Sequence, residues 1–149
     1  MNDYADRLRV KLAPESMTRT LVRAGAFLSA YELIRLQVVD GVRDFYWTGH
    51  ENNGKKVLRP DYETDVRARD KSLYRASVSW LVESDAITQE QAQTLEEVHE
   101  HRHEVAHELP KILIDPDFDI NASLLIDAAL ALRSLDVFWG RISNGHTPV

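Results

Sequence analysis

Four of the chain's six histidines fall within nine residues, in the stretch Val98-His99-Glu100-His101-Arg102-His103-Glu104-Val105-Ala106-His107-Glu108-Leu109. Histidine titrates near neutrality and suits either direction of proton transfer, whereas arginine stays charged and grips an oxyanion with a planar fork. Two chemistries are written over these residues. His103-Glu104-Val105-Ala106-His107 is a literal HExxH, in which histidines one turn apart on a helix share a Zn²⁺ and the glutamate activates a water. No histidine extension follows it, so a third ligand would have to come from ordinary downstream acids such as Asp115 or Asp127. The second pattern needs no metal. Arg102 is followed at once by polar His103 and four residues later by His107, a cation and proton-transfer groups of the kind that phosphate chemistry requires.

Geometry separates these side chains. Thr88 followed by Gln91 is a capping-box start and Pro110 cannot continue a helix, so the spacing predicts one helix of about twenty residues between them. With Arg102 as origin, Ala92, Leu95, Val98, Val105, Ala106 and Leu109 fall between roughly −60° and +80°, an apolar stripe with the arginine at its middle. His99 shares the stripe near +60°, while His103 and His107 lie on its flank near +100° and +140°. A guanidinium in such a place must find an anion, because its burial otherwise costs several kcal/mol. Two readings follow: Arg102 pairs with a buried carboxylate of its own chain, or the stripe opens onto an anionic ligand.

The text from Arg102 to Leu109, ending Ala106-His107-Glu108-Leu109, resembles the R-x(4–6)-H signature of the HEPN superfamily, and the resemblance spans roughly Leu73 to Ile142. It implies a metal-independent endoribonuclease, often a toxin of a toxin–antitoxin pair or a phage-defence component, with no cofactor. Arg102 and His107 would be its catalytic pair, and His103 would take the polar position beside the arginine. It further implies a homodimer with the motif helices facing each other, an RNA substrate and an antitoxin protein as partner. Many toxin members carry a tyrosine two residues after the motif histidine, where modification silences them. This chain has Leu109 there, so the resemblance does not extend to that regulation.

Composition bounds the rest. The 149 residues suit one domain with one substantial core, and the absence of cysteine excludes disulfides and thiolate metal sites. The acidic, polar start and the lack of a long apolar run lead us to expect a soluble, cytoplasmic protein that does not engage a membrane. A net charge of −6 argues against a broad electrostatic grip on nucleic acid, so RNA would need a local basic cleft. Seven of the eighteen basic residues lie between Lys55 and Arg75, and Arg69, Lys71 and Arg75 are the candidate RNA contacts. Glu51 precedes that basic run, and Asp61, Glu63, Asp65 and Asp70 are interleaved with it, which favours a solvated mixed-charge surface.

The elements that must hold the motif read as an all-α, up-and-down bundle of four to five helices. Residues 2–12 form a short lead-in helix or arm. Pro14 opens a long amphipathic helix through Phe45, loosened at Asp40-Gly41. Residues 47–61 lose the period and read as a loop, in which Asn53-Gly54 offers a turn but the flanks are too polar for a buried strand. A helix marked by Val66, Leu73, Ala76, Trp80 and Leu81 precedes the histidine helix as its antiparallel neighbour. Residues 111–119 are a connector, Asp119 or Asn121 caps a final helix to Ile142, and residues 143–149 should fray.

Overall fold

The computed structural model describes residues 3–145. The lead-in is helix α1 (Asp3–Leu12), with Asn2 outside the described residues. Pro14, whose fixed φ suits a first helical position, starts α2 (Pro14–Arg35). The loosening foreseen at Asp40-Gly41 is a wide π turn over Leu36–Asp40, after which the chain runs on as α3 (Gly41–Phe45). The Gly41 N–H bonds back to Leu36, and the Gln37 carbonyl accepts a hydrogen bond from Trp139 Nε1 at 3.1 Å. Such a bulge shifts the helical phase, and Val38, Val39 and Val42 are all buried across it.

Residues 47–61 are not the structureless loop the lost period implied. Trp47–His50 (β1) and Lys56–Leu58 (β2) pair antiparallel around a turn in which Gly54 takes φ +85°, a left-handed conformation that glycine adopts without strain. The polar flanks do not forbid this ribbon because it lies on the surface and buries almost none of its residues. The next helix also starts later than Val66. A single helical stretch, α4 (Asp61–Asp65), and a 3₁₀ turn over Arg67–Arg69 come first, anchored by buried Tyr62 and Val66. Ser72 then accepts the Arg75 N–H and caps α5 (Leu73–Glu83).

The motif helix α6 (Gln89–His107) carries the predicted capping box, with Thr88 and Gln91 each bonded to the other's backbone. Pro110 does not end it into a connector. Instead Pro110 sits in the first turn of a new helix, α7 (Leu109–Ile114), where a missing N–H costs nothing. Asn121 accepts the Leu124 N–H and caps α8 (Ala122–Ser143). Of the tail expected to fray, residues 146–149 lie outside the described residues.

Cross-element contacts fix the packing. Tyr74, near the start of α5, donates to the Leu95 carbonyl midway along α6, so those two helices run antiparallel as expected. Tyr31 lies by His99 and Phe27 by His101, so α2 is antiparallel to α6 as well. The hairpin and α4 return the chain between α2 and α5, which places Tyr31 beside Tyr74 and Phe45 beside Trp80. Phe27, Ile34, Leu81, Leu95, Val98, Val105 and Leu135 close the all-α core around α6. No helix among the described residues is long and apolar enough to cross a membrane.

Candidate functional site

The α6 stripe is narrower than its spacing implied. Leu95, Val98 and Val105 are fully buried in the chain's own core, while Ala106 is exposed. The buried positions are therefore not available to a second copy, and any partner must meet the protein elsewhere. Arg102 sits at the edge of the stripe, its side chain 37% exposed. Its guanidinium carbon lies 5.3 Å from the centre of the Tyr31 ring, and its Nη2 reaches Glu32 Oε1 only at 4.0 Å. The Nε is shielded from solvent with no hydrogen-bond partner. The arginine is thus anchored by an aromatic face and scarcely neutralised.

His103 and His107 are exposed, and their rings lie one turn apart with centroids 4.3 Å from each other and planes tilted by 50°. Arg102 turns the other way, toward α2, and among the described residues no hydrogen bond joins it to either histidine. The structure therefore brings His103 and His107 together and leaves Arg102 apart, as the 140° between Arg102 and His107 required.

A second cluster lies beside Arg102, and sequence reasoning did not assemble it. Tyr31 O–H and His99 Nδ1 share a hydrogen bond at 2.9 Å, and the His99 ring stacks on Tyr74 at 4.6 Å with 14° between planes. Burial pushes the His99 pKa below the ordinary histidine value; Glu96 opposes the shift, while Arg75, Arg102 and His103 add to it. Burial likewise holds the Tyr31 and Tyr74 phenols protonated, above the usual tyrosine range. The signal was present in two places: Tyr31 on the apolar face of α2 and His99 within the stripe of α6. Nothing in a single sequence says that those faces meet. His101 is structural by its contacts, since its Nε2 accepts the Asn121 N–H at 3.0 Å at the entry to α8.

The basic candidates divide. Arg75 forks onto Glu96, with Nη2 to Oε1 at 2.6 Å, and the pair holds the Glu96 carboxyl below its usual range. Arg69 is engaged with Glu83 and the Asp65 carbonyl, whereas Lys71 is exposed with no carboxylate within 4 Å among the described residues. Glu104 of the HExxH text lies 3.9 Å from His101 Nδ1. Among the described residues no three His, Cys, Asp or Glu side chains converge on a point where a metal ion would sit, so neither Asp115 nor Asp127 completes that motif. No protein-family model matches the chain, and no curated protein and no solved structure is significantly similar to it.

Proposed function

We propose that this protein is a metal-independent endoribonuclease of the HEPN type, a toxin or phage-defence component that works as a homodimer and answers to an antitoxin protein. The observation that carries the reading is Arg102: a part-exposed guanidinium braced on Tyr31, with the only carboxylate within 4 Å among the described residues at 4.0 Å, is available to a phosphate. His107, with His103 against it, supplies the proton chemistry. In the reaction a histidine takes the 2′-OH proton, the 2′-oxygen attacks phosphorus, and the 5′-oxygen leaves with a proton from the acid. Arg102 offsets the charge of the crowded phosphorane.

One chain supplies too little, since Arg102 and His107 diverge. A two-fold doubles the set, and the face available for it is the outer side of α2, where Val22, Gly25, Ala26, Ser29 and Leu33, continued by Leu36 at the start of the π turn, form an uncharged exposed strip bordering Glu32. RNA cleavage in EDTA tests the reading. Wild type should cut, and Arg102→Ala and His107→Ala should each lose about 10²-fold or more, the usual weight of a proton-transfer or charge-stabilising group. The second reading is a non-catalytic module of the same kind that binds RNA, a nucleotide or a protein, favoured by the separation of Arg102 from His107 and by the net charge of −6. It takes over if neither wild type nor variants cut RNA.

A further inference from the structure

Between α1, α2 and the connector from α7 to α8 lies a cavity of about 380 Å³ in which four basic side chains face two acidic ones, a local excess of positive charge in an acidic protein. Lys11 is its floor and only 9% of it is exposed. The ammonium donates to the Phe118 carbonyl at 2.8 Å, but its nearest carboxylate oxygen, Asp119 Oδ1, is 3.9 Å away and already accepts the Ile120 N–H at 2.8 Å. Arg23 stands equally far, 3.9 Å from the other Asp119 oxygen. Three cations thus border one cavity: Lys11 and Arg23 share one distant carboxylate, and Arg19 has none within 4 Å among the described residues. Holding an ammonium this deep costs free energy that one carbonyl does not repay.

We propose that this cavity binds a phosphate monoester. A dianion with three terminal oxygens matches the three under-neutralised cations, and the planar arginine fork can pair bidentately with phosphate oxygens. The volume exceeds that of a bare phosphate, and Val10 and Pro116 form an apolar wall for a sugar-sized body. None of these residues belongs to the Arg102 site, so the inference does not rest on the ribonuclease reading. The same group occurs on small sugar phosphates and on the 5′ end of an RNA strand.

Calorimetric titration with ribose 5-phosphate, ribose, and a short RNA with or without a 5′-phosphate tests it. Ribose 5-phosphate should bind saturably at one site and ribose should not. Arg19 is exposed, so Arg19→Glu should fold normally and weaken binding at least tenfold; Lys11→Met should do the same, with its fold checked by circular dichroism. Arg102→Ala should bind as wild type does, which separates this site from the proposed catalytic one. A 5′-phosphorylated RNA that outcompetes ribose 5-phosphate assigns the site to strand ends, and the reverse order assigns it to a small metabolite. Equal binding of ribose and ribose 5-phosphate, no binding of any phosphorylated probe, or unchanged affinity in Arg19→Glu overturns the proposal.

Discussion

Arg102 and His99 sit one turn apart on α6 and both lean on Tyr31, yet the ring treats them oppositely. Its face braces the guanidinium, and its hydroxyl, in a half-buried setting, meets a histidine whose pKa burial lowers. A histidine whose pKa is lower in the folded chain than in the unfolded one stabilises the fold above its unfolded value, near 6.5, and loses that contribution as pH falls through the folded value. Thermal stability should therefore decline from about pH 6.5 downward, and His99→Gln should flatten that decline. A melting series from pH 7 to pH 5 reads it, and an unchanged slope in the variant would count against a neutral His99. Loss of the Arg75–Glu96 pair belongs to a separate window, below about pH 4, where the lowered Glu96 carboxyl protonates. Tyr31→Phe keeps the ring beneath Arg102 and removes only the hydroxyl. If Tyr31 positions Arg102 through its face, cleavage should survive that change and fall with Tyr31→Ala.

At the scale of elements, what could be read in advance was what is encoded locally. The Thr88–Gln91 box, Pro14 at a helix start and the Asn121 cap are each satisfied by residues within four positions, and each appears where its chemistry placed it. The hairpin over residues 47–58 was missed because it draws on no buried face and so leaves no alternation in the sequence. The short α7 was missed because Pro110 reads equally as a stop and as a first turn. The histidine helix gave up its faces but not its neighbours, so Arg102 was recognised as anomalous while Tyr31, which explains it, was not. The π turn of Leu36–Asp40 shows the same limit. Gly41 was read as loosening the helix, and its measurable role is room: an added Cβ would come 2.8 Å from the Trp139 ring. That ring is held by the Gln37 carbonyl and stacks on Trp80, so it cannot simply swing away. Gly41→Ala should cost about 1–3 kcal/mol by overpacking, despite alanine's better helix propensity. Chemical denaturation would show it as a lower midpoint with unchanged slope, and a gain in stability would mean that the ring yields.

At the scale of the whole molecule, an RNA-cleaving protein of the proposed kind would have to assemble its site from an acidic chain whose motif is split around one helix. The fully buried Leu95 and Val98 take the stripe of α6 out of any interface, which leaves the outer face of α2 as the uncharged surface next to Arg102. Val22 is 65% and Leu33 56% exposed there, with Gly25, Ala26 and Ser29 between them small enough for a second helix to approach closely. Two copies joined on this face would set one chain's Arg102 near the other's motif helix. Because Ala26 and Leu33 are exposed, Ala26→Arg and Leu33→Glu should leave the monomer folded and dissociate the proposed dimer, as sedimentation would show, and cleavage should fall with dimer content. Mixing Arg102→Ala with His107→Ala then joins the interface to the chemistry. Each variant alone lacks one partner, whereas the mixed dimer retains one intact arginine and one intact histidine across the two-fold. Cleavage that appears on mixing, and fails to appear when either variant also carries Leu33→Glu, is the expected result. A strictly monomeric preparation with full wild-type cleavage would sink the composite site.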